Sequence, residues 1–207
     1  QIAAFVETAH TSPYYAPLAC CLFLGLREGE ALGLAWEHID FENRKINVCQ
    51  QLQREKTKGG KLYLMDSTKN GKSRVLDVPD FLMDILKEEQ RRQLLAQIAA
   101  GPAWRNTWGL CFTNKIGEPI TPKVLFDQFK KLATAAGIPN ARVHDLRHTN
   151  ATLALVNGDD VKTVQANMGH ATAAFTLQRY VHATEQMKRD SANRMQKFFE
   201  TSIEKKA

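Results

Sequence analysis

The chain lacks long apolar runs, a secretory leader and paired cysteine motifs. Among its 207 residues, no stretch approaches the roughly 18 consecutive apolar residues that a membrane helix needs. The opening residues, QIAAFVETAH, have no basic lead, and their start without Met suggests a fragment whose upstream domain has been removed. The four cysteines contain no CxxC pair, which favours buried free thiols in a reducing compartment over zinc ligands or disulfides. They are Cys20, Cys21, Cys49 and Cys111.

The charge balance is only modestly basic. Lys and Arg total 28 against 22 Asp and Glu, and the formal net charge is +6. This excess favours a polyanionic partner such as nucleic acid, although it selects none by itself. With 43% hydrophobic residues, the chain can bury the core of one large domain, or of one domain with an appendage.

The periodicity of the apolar residues predicts a mainly α protein with a small three-stranded antiparallel β-sheet, an α+β fold. Helical spacing extends to about residue 35 and resumes after Val78. Between about 44 and 79, three short β-rich segments alternate with polar turns. Gly-Gly at 59–60 and Asn-Gly at 70–71 stand at the two reversals, and Asn-Gly is a strong hairpin signal.

The later helices carry local start and stop signals. Asp80 is predicted to cap a helix that ends at Gly101, and Thr121 to cap a helix whose first residue is Pro122. Further helices are predicted at about 145–156, 160–168 and 182–200. The chain shows no internal repeat and no low-complexity stretch.

One short segment, VHDLRH, concentrates chemistry-bearing side chains at the start of a predicted helix. His144 shares a helix face with Arg147 and with His148. Three explanations compete: a metal, core packing and a bound phosphate. The zinc motif of metalloproteases has Glu after its first histidine, whereas this chain has Asp145, and a cation between two ligands also disfavours a metal.

A second candidate is Arg27, which lies within the apolar stretch LFLGLREGEALGLAW. A buried arginine must be paired, because an unpaired buried charge is very costly. Either Glu28 or Glu30 neutralises it structurally, or Glu30 holds its guanidinium in place for a phosphate. The spacing alone leaves both options open.

Four segments resemble the tyrosine recombinase family, also called the phage integrase family. They are GLREGEALGLAWEHIDF, STKNGKSRVLDVP, VHDLRHTNATL and MGHATAAFTLQRYVH, in the family's order and near its usual spacings. They extend from Arg27 to His182, so the resemblance covers nearly the whole chain. It implies the tyrosine recombinase catalytic-domain fold. The tail of the third segment is most similar to integrases of conjugative transposons and related phages.

The resemblance implies a role for each matched residue. Arg27 and Arg147 would hold the scissile phosphate, and Glu30 would support them, whereas His148 would pack under the site. Lys69, followed by Ser73 and Arg74 as in the family's pattern, would be the hairpin lysine. Met168 replaces the usual Leu before Gly-His, and Asn150 replaces a common aromatic residue. The full implied catalytic set is Arg27, Lys69, His144, Arg147, His170 and Tyr180.

The resemblance also implies an activity. The enzyme would cleave and rejoin duplex DNA at specific recombination sites through a 3′-phosphotyrosyl intermediate, without metal or cofactor, to integrate or excise a mobile element. Tyr180 would be the nucleophile, His144 its general base, and Lys69 the acid for the leaving oxygen. Two rivals are a type IB topoisomerase, which relaxes supercoils, and a non-catalytic DNA-binding relative.

The resemblance finally implies an organisation. Residues 1–182 would form the catalytic domain, and an upstream DNA-clamping domain would be absent. Residues 183–207 would form a C-terminal helix whose apolar face packs either on its own domain or on a neighbouring protomer. We expect a monomer without DNA, a homotetramer on DNA, and accessory DNA-bending or directionality factors. No membrane partner is expected, and the expected location is the cytoplasm of a bacterial host, on the nucleoid.

Overall fold

The computed structural model of the chain describes residues 1–57, 59–66 and 73–169, together with the isolated positions 189, 192, 193, 195 and 196. Its helices are α1 Ile2–Ala9, α2 Tyr15–Phe23, α3 Glu28–Leu32, α4 Asp80–Ala100, α5 Pro122–Ala135, α6 Val143–Val156 and α7 Val161–Met168. Its strands are β1 Ile39–Asp40, β2 Lys45–Val48, β3 Gln50–Arg54, β4 Leu62–Asp66 and β5 Arg74–Asp77. The mainly α architecture with small antiparallel sheets confirms the predicted fold class. No helix in the described ranges combines the length and apolarity needed to cross a membrane.

Helix starts follow the capping signals, with one shift. The Thr121 hydroxyl accepts a hydrogen bond from the Val124 amide at 3.2 Å, and Pro122 is the first residue of α5, as predicted. Helix α4 differs, because Pro79 occupies the cap position and Asp80 is already the first helical residue. The Asp80 carboxylate is exposed and pairs with Arg44 at 2.6 Å instead of capping the helix.

The predicted sheet is divided into two. The first predicted β-rich segment, KINVCQQLQ, is divided at Cys49 into β2 and β3. Strand β2 pairs antiparallel with β1 and β5, whereas β3 pairs antiparallel with β4. The Gly-Gly reversal at 59–60 lies between β3 and β4 as predicted, with Gly59 at φ +79°. The Asn-Gly pair at 70–71 falls outside the described residues.

The main core joins helices α1–α5 and the first turn of α6 with the inner faces of the strands. Helix α3 packs directly on β3. The approach at Gly33, which follows α3, is so close that a Cβ there would lie 2.6 Å from the Leu52 backbone nitrogen. The Gln50 side chain fastens this contact by donating to the Gly33 carbonyl at 2.7 Å. All four cysteines are free; Cys20, Cys21 and Cys111 are buried as predicted, whereas the prediction of a buried thiol is wrong for Cys49, which is partly exposed.

Helices α6 and α7 enclose a second, smaller apolar cluster. It consists of four buried residues, Ala151, Leu155, Val164 and Met168. Asp160 caps α7 by accepting from two backbone amides at 2.8 and 3.0 Å, and Gly169 ends it in the left-handed conformation. Because so few apolar residues hold α7, its position depends on polar contacts, which converge at its C-terminal end.

Candidate active site

Arg27 lies in the sharp connection between α2 and α3. Gly25, at φ +64°, turns the chain after α2, and Arg27 then takes the cap position of α3. Its backbone amide donates to Glu30 Oε2 at 2.9 Å, and its Nη1 donates to Glu30 Oε1 at 2.7 Å. The Arg27 side chain remains 43% exposed, so solvent or an anion can reach it. The Glu30 side chain is 2% exposed, so two residues three apart in the sequence form a pair between a buried anion and an accessible cation.

A second guanidinium approaches the same carboxylate from strand β5. Arg74 Nη1 and Nη2 donate to the two Glu30 oxygens at 3.0 and 2.7 Å, which is a bidentate pair. The Arg74 side chain is 12% exposed. Glu30 therefore joins the α2–α3 connection to the sheet through one carboxylate.

The third guanidinium belongs to Arg147 in α6, and it is the most buried of the three. Its side chain is 2% exposed, and Nη1 lies 3.9 Å from Glu30 Oε2. It donates hydrogen bonds to the carbonyl oxygens of Gly25 and Met168. Arg147 thus connects α6 to the turn that carries Arg27 and to the end of α7.

The three arginines also share a row of carbonyls at the C-terminal end of α7. Arg74 Nε donates to the Asn167 carbonyl at 2.7 Å, Arg147 to Met168, and Arg27 Nη2 to Gly169 at 3.2 Å. The carbonyls that end a helix have no partner within the helix and carry its negative dipole charge. Three guanidinia from three different segments therefore fasten the last turn of α7.

The electrostatics of the cluster favour an anion. Burial by itself raises the pKa of Glu30, but the hydrogen bonds and charges of Arg74 and Arg27 outweigh it and lower the pKa to about 2. Glu30 is consequently ionised at neutral pH. Arginine remains protonated in proteins, so three positive charges face one negative charge. An incoming phosphate would supply the balancing charge, and the planar guanidinium suits its oxygens.

His144 and His148 lie on α6 beside Arg147. His144 is exposed and His148 is half-buried, and their rings meet edge to face with centroids 4.4 Å apart. The helix start is stabilised by Asp145, which accepts from the Arg142 amide at 2.9 Å. Among the described residues, no group of three or more His, Cys, Asp or Glu side chains could hold a metal ion.

The structure therefore unites part of the predicted site. It places Arg27 and Arg147 around the carboxylate of Glu30, with His144 three residues before Arg147 in α6. Lys69, His170 and Tyr180 lie outside the described residues, as does nearly all of the predicted helix at 182–200. Their membership of the site remains a prediction.

Arg74 was matched only as a residue that follows Lys69 in the family's pattern, but the structure places it inside the cluster. A signal was present in the strand SRVLDV. Side chains two apart in a strand share a face, so Arg74 shares a face with the core residue Leu76. A charged residue on the inward face of a strand indicates a buried ion pair.

The chain combines helices around small antiparallel sheets with two arginines, from separate segments, at one buried carboxylate. This combination defines the tyrosine recombinase catalytic-domain class. The chain belongs to the phage integrase family, whose family model matches residues 1–187. A tyrosine recombinase XerC-like protein of Caldanaerobacter subterraneus is 33% identical over 184 residues, covering 84% of this chain and 47% of that protein. The transposase of Tn916 from Enterococcus faecalis is 29% identical over 191 residues, covering 89% and 46%.

Solved structures show the same fold. The integrase of transposon Tn1549, in complex with a circular intermediate DNA, superposes with a TM-score of 0.77 at 23% identity. The match covers 94% of this chain and 64% of that one. The chain spans about half the length of the sequence relatives it matches.

Proposed function

We propose that this chain is the catalytic part of a site-specific DNA recombinase that integrates or excises a mobile element. The convergence of Arg27 and Arg147 on Glu30 supports this proposal most directly. Two guanidinia held by a buried carboxylate suit a phosphodiester whose negative charge grows in the transition state. The Tn1549 integrase was solved with DNA, which supports duplex DNA as the substrate class.

The chemistry requires a nucleophile and two proton transfers. The Tyr180 oxygen attacks phosphorus and the bond to the 5′-oxygen breaks, leaving a 3′-phosphotyrosyl link and a 5′-hydroxyl. His144 takes the phenolic proton, and Lys69 donates a proton to the departing oxygen. Rejoining reverses these steps with a new 5′-hydroxyl. Lys69, His170 and Tyr180 enter the proposal through their positions in the family's motifs.

The buried state of Arg147 adds a requirement. Because its side chain is 2% exposed, a phosphate oxygen reaches it only after groups that cover it move. Arg27, at 43% exposed, makes the first contact with the phosphate in this proposal. We therefore expect Arg27→Lys to weaken DNA capture at the binding step, and Arg147→Lys to slow the later covalent step.

Covalent capture tests the proposed reaction. The chain is incubated with a library of nicked suicide duplexes of randomised sequence, and denaturant-resistant adducts are isolated and sequenced. We expect an adduct that Tyr180→Phe abolishes and that Lys69→Ala only slows, since general acid help contributes roughly 10²–10⁴-fold. Failure of the chain to form any adduct would refute the proposal. Exchanged junctions distinguish a recombinase from a topoisomerase, which only reseals the same strand.

Assembly is a separate part of the proposal. Four protomers act together on two DNA sites, and residues 183–207 dock on a neighbouring protomer. Truncation after about residue 185 should then remove higher-order complexes in a native gel while leaving the catalytic fold intact. Complexes unchanged by truncation would contradict the docking role. Accessory DNA-bending or directionality factors, and a location on the nucleoid in the bacterial cytoplasm, complete the proposed setting.

A further inference from the structure

Arg74 occupies a position that connects three parts of the cluster. It holds both oxygens of Glu30 at 3.0 and 2.7 Å, and its Nε donates to the Asn167 carbonyl at 2.7 Å. It also begins β5, directly after the segment that contains Lys69. One side chain therefore links strand β5, the carboxylate that holds Arg27, and the C-terminal end of α7.

The contacts of Arg74 differ from those of Arg27. The Arg27 side chain is 43% exposed, whereas the Arg74 side chain is 12% exposed and its guanidinium is directed at protein acceptors. A Cβ on Gly169 would lie only 3.0 Å from Arg74 Nη1, so the α7 end closes over this guanidinium. Arg74 is placed to support the phosphate-binding groups, and Arg27 is placed to contact the phosphate.

We propose that Arg74 is a positioning residue: it keeps the Glu30 carboxylate against Arg27 and fixes the end of α7, without touching the DNA phosphate. This inference rests on the proposed recombination chemistry of the same cluster. Among the groups that counteract burial at Glu30, the Arg74 side-chain hydrogen bond is the largest. Without Arg74, burial is less opposed and the pKa of Glu30 rises, so Glu30 becomes protonated at a higher pH than in the wild type and holds Arg27 less strongly.

The groups that face Glu30 allow the pH effect to be assigned. They are Arg27 from its own segment, Arg74 from β5, Arg147 from α6 and the Cys21 thiol from α2. Arginine side chains in proteins are not deprotonated, and burial raises the pKa of Cys21 well above its ordinary value. Each variant keeps every other titratable group, so the ratio of its rate to the wild-type rate at each pH reports on Glu30.

The test compares Arg74→Gln, Arg74→Lys and a control, Arg44→Gln, on the duplex selected by covalent capture. Arg44 pairs with Asp80 at 2.6 Å at the opposite end of the same sheet, and its side chain is 57% exposed. We expect Arg74→Gln to slow adduct formation on the order of 10- to 100-fold at neutral pH. Its rate should fall further toward acidic pH relative to wild type. Arg74→Lys should recover part of the rate, and Arg44→Gln should match wild type.

Two further measurements separate positioning from direct contact. Binding to a labelled random-sequence duplex is measured against salt, where loss of one phosphate contact lowers the slope by about 0.9. We expect an unchanged slope for Arg74→Gln. The double variant with Glu30→Gln should be no slower than the slower single variant, because both changes break one network. A reduced salt slope for Arg74→Gln, together with additive rate losses in the double variant, would overturn the inference. Adduct rates of Arg74→Gln equal to those of Arg44→Gln would also overturn it.

A DNA-free measurement keeps this inference distinct from the proposed reaction. Arg74→Gln should raise the pH at which the chain unfolds in acid, and this shift should vanish when Glu30 is already Gln. An equal shift in the Glu30→Gln background would overturn the link between Arg74 and Glu30. If the wild type captures no DNA, the proposed reaction fails, and the acid-unfolding shift alone decides whether Arg74 governs Glu30.

Discussion

Replacement of Glu30 by Gln removes the only carboxylate that the structure places among the three guanidinia within its described ranges. The substitution keeps the shape and leaves Arg27, Arg74 and Arg147 without their shared counter-charge. The pKa of Glu30 falls from an ordinary 4.5 to about 2, because Arg74 and Arg27 outweigh the effect of burial. At ~1.4 kcal/mol per pKa unit, this corresponds to roughly 3 kcal/mol of stability at neutral pH. Loss of one partner from a buried ion pair costs a similar amount, about 3–5 kcal/mol.

The pH dependence gives this prediction its sign. A carboxylate with a lowered pKa stabilises the folded state above its unfolded pKa, and the contribution is lost as pH falls toward its folded pKa. The stability difference between wild type and Glu30→Gln should therefore be roughly 3 kcal/mol at pH ~6 and about half that at pH ~3. Urea unfolding followed by far-UV circular dichroism across this range measures it.

Glu88→Gln is a matched control for this measurement. Glu88 also forms a bidentate pair with an arginine, Arg91, at 2.8 and 2.9 Å, but both side chains are more than 60% exposed. Solvent screens such a pair, so the control should change stability little. A Glu30→Gln difference that stays constant from pH 6 to pH 3 would refute the ionised, buried carboxylate on which the site description depends.

Three glycine substitutions and one capping substitution test the packing of the helices. Gly169→Ala should destabilise the chain by ~1–2 kcal/mol through its φ of +61° and should also displace Arg74, so adduct formation should slow. Gly137→Ala is its control, because Gly137 has a φ of +77° and open space around it. The control should show only the cost of backbone strain. Equal adduct rates in the two variants would contradict the contact between Gly169 and Arg74. Gly33→Ala should cost ~1–3 kcal/mol in urea unfolding because its Cβ meets the β3 backbone; an unchanged midpoint would refute this packing. Thr121→Ala should cost ~1 kcal/mol by the same measurement through loss of the α5 cap, with capture unchanged.

Features with local causes could be predicted from the sequence. The start of α5 depends on a hydroxyl and a proline next to each other, and the end of α7 on a glycine in the left-handed conformation. Both signals lie within a few residues of the helix end that they determine. The division of the predicted first strand at Cys49 was not visible, because it depends on two partner strands that come later in the chain. Strand pairing is decided by contacts between residues far apart in sequence.

The same distinction applies to the site. The sequence left two options open for Arg27: structural neutralisation by Glu28 or Glu30, or a guanidinium that Glu30 holds for a phosphate. The contact with Glu30 is local, because the two residues are three apart at a helix start. The structure shows that the options are compatible: Glu30 neutralises the cluster and also leaves Arg27 exposed to an anion. The bidentate contact of Arg74 spans 44 residues, and its contact with Asn167 spans 93. No local pattern specifies either partner.

The burial of Arg147 has a consequence for how the site works. Its prediction as a phosphate ligand came from the family motif, whereas the structure places it under cover, bonded to the Gly25 and Met168 carbonyls. Arg27, Arg74 and Arg147 each donate to a carbonyl at the end of α7, and few apolar contacts hold that helix. A phosphate that draws Arg27 and Arg147 toward itself must weaken these bonds. Under the proposed function, we therefore expect DNA binding to loosen the α7 end. Among the described contacts, Arg74 donates only to protein acceptors, so we expect it to retain the helix end while Arg27 and Arg147 exchange partners.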